Sequence, residues 1–253
     1  MSRQAVYQSE SRKQLRCLEL KLVKEKIQEV RSIMPRIGTR KLHYLLSAEL
    51  SELGIKIGRD GLFHFLRDEN LLIKRRKNYT KTTNSNHWLR KHPNLLKEQS
   101  PKKAEQVFVS DITYIKSRER THYLSLVTDA YSRKIMGYHL SDDMSAEHVV
   151  KALKMATIVS DSTNGTIHHS DRGLQYCSST YQNMLSNHQM ICSMTDGYDC
   201  YQNALAERIN GILKEEFLFY ICNTGKELEK LIKESINIYN TKRPHLSLTL
   251  IMH

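Results

Sequence analysis

Apolar positions along the first seventy residues recur at helical spacing. Leu15, Leu18, Leu22, Ile27 and Val30 mark a long amphipathic helix over about 10–34, and "MPRIG" breaks it. Thr39 then stands where an N-cap is expected, Leu42, Leu45, Leu46 and Leu50 repeat behind it, and Gly54 offers a stop. A third, shorter helix fits "RDGLFHFLRDENLL", and the basic run "KRRK" follows at 74–77. Two short helices joined by a tight turn, next to a basic run, predict an all-α, helix-turn-helix-like DNA-binding region over 1–76. Residues 77–104 are polar and without sustained period, which predicts a basic interdomain linker.

At residue 105 the period changes. "EQVFVSDITYI", "HYLSLVTDAYS" and "RKIMGYHLS" are rich in β-branched and aromatic residues and predict an antiparallel meander, with Ser132 and Arg133 at a turn. Helical spacing through Val149, Leu153 and Met155 follows, then the strand "TIHHSD", a helix near 178–187, a strand at 191–195, a helix beginning near Tyr201 and a last helix around 226–240. The order predicts a mixed α/β domain over 105–253.

Charge sharpens this division. The chain of 253 residues has a formal charge of +12, yet residues 1–104 carry 24 basic and 10 acidic residues and residues 105–253 carry 15 and 17. A basic front with a slightly acidic back fits a module that grips phosphates, joined to one that keeps carboxylates for another purpose. With no run of about 18 apolar residues and no apolar segment at the start, a cytoplasmic protein without membrane contact is expected. The five cysteines are scattered and never spaced C-x-x-C, so neither a disulfide framework nor a cysteine zinc site is indicated.

The carboxylates of the second half fall into a pattern. Asp111 interrupts the first strand, where a charge is costly without a partner or a metal. Asp171 ends the fourth strand, in "HHSDRGLQY". On "YQNALAERINGILKEEF" a helical wheel puts Asn203, Glu207, Asn210 and Lys214 on one side and Leu205, Ile209, Ile212 and Leu213 on the other. A solvated polar face would explain one such helix. Three carboxylates converging on one point would instead repel unless cations sat between them. Asp129 does not share the spacing and suits a turn or strand edge. Of His168 and His169, one is expected to pack on the strand and the other to lie behind the carboxylates or touch a phosphate.

"VFVSDITYI", "HHSDRGLQY" and "YQNALAERINGILKEEF" resemble the three catalytic blocks of insertion-sequence transposases related to retroviral integrases. Thirty-five residues separate Asp171 from Glu207, the D-D-35-E spacing of that superfamily, and Lys214 matches its basic position. "GTRKLHYLL", "FLRDENLLIKR" and "YNTKRPHLSL" extend the likeness to the orfB-type transposases of the insertion-sequence-three family. The resemblance departs at Phe108, where a tryptophan is common, and at Gln202, where the family is often acidic. The chain also ends soon after "RPHLSL", which implies a shortened catalytic domain.

The resemblance implies an RNase H-like fold, a five-stranded mixed sheet flanked by helices. It implies that Asp111, Asp171 and Glu207 are catalytic and ligate two Mg²⁺ or Mn²⁺ ions. It further implies end nicking and strand transfer on double-stranded DNA, at element ends and target, by a homo-oligomer in the bacterial nucleoid, with an upstream-frame partner or fusion. Arg172, Asn203, Asn210 and Lys214 are the expected DNA contacts near the site, and Arg40, Lys41, Lys74, Arg75 and Arg76 those of the front region. The alternatives are a decayed, inactive DNA-binding remnant and a nuclease of the same fold that does not join DNA.

Overall fold

The computed structural model describes residues 3–74, 88–97, 100–196 and 203–248. Arg75, Arg76, Cys200 and Gln202 lie outside the described residues. The chain divides into two compact units, Met1–Arg75 with Pro244–Ile251 and Arg76–Arg243 with Met252–His253. Among the described residues no helix is long and apolar enough to cross a membrane.

The first unit is helical, with α1 (Arg3–Ile33), α2 (Thr39–Glu52) and α3 (Arg59–Asp68). Its core comprises Val23, Ile27, Ile37, Leu42, Leu46, Leu50, Leu62 and Leu66. Leu15, Leu18 and Leu22, expected on the same apolar face, are exposed at 60%, 62% and 43%. At 3.6 residues per turn they lie roughly 120° around the helix from Val23 and Ile27, so the packing stripe is a different one. Thr39 is not the cap. Gly38 precedes the first turn of α2 in extended conformation and its carbonyl accepts from Lys41 and Leu42, with no side-chain bond to the helix end. Gly54 does end α2, at φ +72°, where Ile55 N–H returns to the Leu50 carbonyl at 2.8 Å.

The second unit is built on one sheet of order β3-β2-β1-β4-β5. β1 (Val107–Lys116), β2 (Thr121–Asp129) and β3 (Ile135–Ser141) form the antiparallel meander. β4 (Ile167–Ser170) and β5 (Ile191–Met194) then join in parallel beside β1. Between them run α4 (Ala146–Val159), α5 (Leu174–Cys177) and α6 (Ser179–Asn187). After β5 come α7 (Ala204–Ile212), a π turn at Leu213–Phe217 and α8 (Gly225–Thr241). This is the mixed five-stranded sheet with flanking helices that the sequence predicts.

β1 alternates between two layers, as a strand buried on both faces must. Phe108 joins Leu153, Ala156, Tyr176, Tyr181 and Leu185 beneath α4, α5 and α6. Val107 and Val109 face the other way, against Ala206 of α7. Met155, expected on the inner face of α4, is 38% exposed. The packed positions are Val149, Ala152, Leu153 and Ala156, a narrower stripe that lets the helix sit close to β3.

Part of the expected linker has a packed role. Leu89 rests on the cluster under α4 and α6, Leu96 on the cluster under α7. The Pro93 carbonyl accepts from Met194 N–H at 3.2 Å, and Ser193 Oγ accepts from Leu95 N–H at 3.0 Å. Residues 88–97 thus cover the outer strand β5, whose unpaired backbone would otherwise be open to another chain.

Gly137 on β3 lies against the backbone of α4. A β-carbon there would fall 2.1 Å from the Ala152 carbonyl and 2.8 Å from Ala156 N, both helix backbone. Gly137→Ala must push α4 off the sheet and is expected to destabilise the protein by about 2 kcal/mol or more, read as a lower midpoint in urea with unchanged slope.

Candidate active site

Asp111 and Asp171 reach the same edge of the sheet because β1 and β4 run parallel. Val109 is opposite His169, so two residues further along each chain bring Asp111 level with Asp171, which directly follows the last residue of β4. Asp111 shares the parity of Val107 and Val109 and so points to the α7 side. There Asn210 Nδ2 donates to its Oδ2 at 2.7 Å, while Ile112 N–H donates to its Oδ1 at 2.9 Å. Asp171 is held by a turn in which Gly173 N–H donates to its Oδ1 at 2.9 Å. A methyl group on Gly173 would come within 3.0 Å of that same oxygen. Glu207 sits exposed in the first turn of α7.

The three carboxyls interact through their charge. Burial and then Asp171 push Asp111 up to about 7, against the Asn210 and Ile112 bonds, with a further push from Glu207. Partial burial and Asp171 raise Glu207 as well. Among the described residues, however, no group of three His, Cys, Asp or Glu side chains is gathered closely enough to hold an ion. The acids feel one another without having closed on a common point. The donor set is all oxygen and suits a hard divalent cation, and a cation would offset both the burial of these charges and the repulsion that adds to it.

Lys214 follows on the π turn, half-buried, its ammonium pushed down by burial and up by Asp111. Arg172 lies 3.7 Å from Asp196, whose other oxygen is 2.5 Å from Lys97. Asn203 and Asn210 depart from their expected place as DNA contacts. Both are buried, at 5% and 4%, and turn their amides inward, Asn203 to the Ser110 carbonyl at 3.1 Å and Asn210 to Asp111. The wheel put them on the correct face but could not say that strand β1 covers that face.

Neither histidine of the fourth strand reaches a phosphate, since both are fully buried. His168 Nε2 lies 2.8 Å from Ser110 Oγ and 2.8 Å from the Tyr181 hydroxyl. Burial and then His169 push it down to about 3, so it is neutral. His169 Nδ1 lies 2.8 Å from Ser193 Oγ. These bonds tie β4 to β1, α6 and β5 behind the acids, and Tyr181 gave no signal in the sequence. Asp129 is a turn keystone, accepting from Glu105 N–H at 3.0 Å and from the Ser132 amide and hydroxyl at 2.9 and 2.6 Å.

A Ser–His–Asp alignment elsewhere is structural. His122 lies 2.7 Å from Asp142 and 2.9 Å from Ser117 Oγ, but Ser117 is buried and its oxygen accepts from the amides of Glu119 and Arg120. It fastens the β1–β2 hairpin and offers no exposed nucleophile.

In the front region, Arg40 and Lys74 are exposed. Lys41 is 7% exposed and partnered within the protein, so it is not available to a phosphate as expected.

Asp111 makes the fold depend on pH in a direction that can be worked out. A carboxyl whose folded value of about 7 lies above its ordinary 3.8 opposes folding by nothing well below pH 4. Its penalty grows as pH rises to about 7 and is constant beyond. In EDTA, Asp111→Asn is therefore expected to stabilise the protein by on the order of 2–4 kcal/mol at pH 8. In urea titrations the gain should shrink steadily as pH is lowered toward 4.

The integrase core domain family matches residues 101–200, and a second model of the same description matches 188–251. A 31 kDa protein of insertion element IS600 from Shigella sonnei is 39% identical over 82% of this chain and 76% of its own length. The transposase InsF for insertion sequence IS3A of Escherichia coli K12 is 33% identical over 68% of this chain, which spans 60% of that protein. Among solved structures, a simian T-cell lymphotropic virus intasome shares the fold at 16% identity, with TM-score 0.51 over 82% of this chain and 70% of that one. The spacing of its acids, its sheet order and these likenesses agree: the chain belongs to the insertion-sequence transposases of the IS3 type, which carry an integrase core.

Proposed function

We propose that this transposase nicks the ends of its insertion sequence and joins them to target DNA, using Asp111, Asp171 and Glu207 as the ligands of two divalent cations, Mg²⁺ or Mn²⁺. The observation that carries the reading is the register of β1 and β4, which brings two aspartates level at one sheet edge beside the helix that bears Glu207. When bound, the cations would polarise the scissile phosphate and the attacking hydroxyl, first of water and then of the DNA 3′ end. The chain's own residues do the rest. Asn210 orients Asp111 through the 2.7 Å bond, and the Gly173 turn orients Asp171. Glu207, exposed at the start of α7, is the third carboxylate that would hold the cations, whose charge would offset its repulsion with the two aspartates. Lys214 offers an ammonium beside Asp111 to the phosphate charge, and Arg172 stands next to Asp171 for the neighbouring backbone.

The basic front region, about 1–76, holds double-stranded DNA through Arg40 and Lys74, with Arg75 and Arg76 adjoining. Residues 105–243 form the catalytic part together with 88–97, which pack on its sheet, and the remainder of 77–104 joins it to the front region. Element ends are paired by a homo-oligomer, and an upstream-frame partner or fusion supplies further end recognition. The reaction takes place at the bacterial nucleoid, where element and target DNA lie.

The test is a strand-transfer assay with purified protein, labelled element-end DNA and a plasmid target, in Mn²⁺ or EDTA. Joined product is expected only with metal, and Glu207→Gln should lower it at least a hundredfold while DNA binding persists. Cleavage without joining would identify a nuclease, and metal-independent binding alone a DNA-binding remnant.

A further inference from the structure

The end of α8 carries a polar cluster that the chemistry above does not use. Tyr239 is fully buried and its hydroxyl donates to the Arg133 carbonyl at 3.0 Å. Asn240 brackets the start of β3, its Oδ1 accepting from Ile135 N–H at 3.0 Å and its Nδ2 donating to the Ile135 carbonyl at 2.9 Å. The end of the helix is thus pinned to the sheet. From that fixed point Arg243, 2% exposed, extends a two-pronged bond to Glu216, Nε to Oε2 and Nη2 to Oε1, each 2.8 Å. Its guanidinium also lies 5.5 Å from the centre of the Tyr239 ring.

Glu216 belongs to the π turn that ends the helix bearing Glu207. The turn closes with Leu218 N–H on the Leu213 carbonyl at 2.8 Å, and buries Leu213 and Phe217. A π turn is less favourable than the α-helix it interrupts and persists only where its surroundings hold it. Lys214, the second residue of this turn, is the basic group beside Asp111. An i→i+5 turn winds each residue by roughly 10–20° less than the 100° of an α-helix, so relaxing it would rotate Lys214 by a few tens of degrees and Glu216 by more, enough to turn the ammonium away from the acids.

We propose that the Arg243–Glu216 pair is a positioning device for the reaction, locking the π turn so that Lys214 is held toward Asp111, and that Arg243 makes no contact with DNA. A lone surface arginine in a basic, DNA-handling protein would invite the opposite assignment. Here the guanidinium is buried, both of its prongs are satisfied, and its partner stands two residues after the lysine it serves. The inference rests on the transposase reading only for its activity measurement.

The experiment compares the full chain with Glu216→Gln, Arg243→Gln, Arg243→Lys and the double Glu216→Gln/Arg243→Gln, which leaves no unpaired buried charge. Three quantities are read: Mn²⁺-dependent nicking of element-end DNA, DNA affinity against salt, and hydrogen exchange of amides 213–218 without metal or DNA. Each single variant is expected to lower turnover about ten- to hundredfold, as a displaced side chain does. Arg243→Lys should fall with them, because an ammonium cannot form the fork. The double should be no worse than either single. DNA affinity stays within about twofold, and amides 213–218 exchange faster. Loss of DNA affinity in Arg243→Gln with a salt slope lower by about one, while Glu216→Gln behaves as wild type, would overturn the proposal. If the wild type does not nick, the transposase reading fails separately. Unchanged exchange at 213–218 in both Glu216→Gln and the double variant would still refute the clamp.

Discussion

Parallel pairing of β1 with β4 is the constraint on which the rest of this unit depends. It sets two like charges level at one sheet edge, where each makes the other costly. A fold selected only for stability would not keep that arrangement. The surrounding structure bears it by rigidity: Ser110, His168, Tyr181 and Ser193 knit β1, β4, β5 and α6 together immediately behind the acids. The neutral state of His168 belongs to the same design, since an imidazolium there would be a buried, unpaired charge.

The layers divide the labour. On one face of β1, Phe108 and Ser110 belong to the core and its polar tie. On the other, Val107, Val109 and Asp111 meet α7, and the approach of that helix decides where Glu207, Asn210 and Lys214 stand. Asn210 has a double effect, since its bond lowers a carboxyl that its surroundings raise while holding Oδ2 in place as the Ile112 amide holds Oδ1. Placing these groups on a helix, and Asp111 in mid-strand, keeps the site on rigid elements.

Much of this was legible in the sequence. The change of period at residue 105, the β-branched runs and the wheel of the 201–217 segment gave the element order, and in it Asp111 and Asp171 stand level on parallel strands. Failures came where a local pattern cannot know its tertiary partner. Leu15, Leu18 and Leu22 have helical spacing, yet the small first unit packs on a neighbouring stripe. Asn203 and Asn210 are polar residues on a polar face, but that face is covered by β1. Lys41 is buried despite its charge, and residues 88–97 pack despite their loop-like composition. The π turn has no sequence signal, because no propensity scale distinguishes it from the helix it ends.

That turn explains why two separated motifs belong to one machine. Held only by its apolar stripe, Leu205, Ala206, Ile209 and Leu213, α7 could slide or rotate by fractions of a turn at small cost, since apolar contacts are weakly directional. A bidentate guanidinium–carboxylate bond is directional in two planes and tolerates little rotation. The segment "YNTKR" contributes such a bond through Arg243, after Tyr239 and Asn240 have fixed its own position against the β2–β3 turn and β3. Precision at the acidic site therefore derives in part from residues that never approach it, and their identity is set by geometry at the far end of the helix rather than by the chemistry of the phosphate.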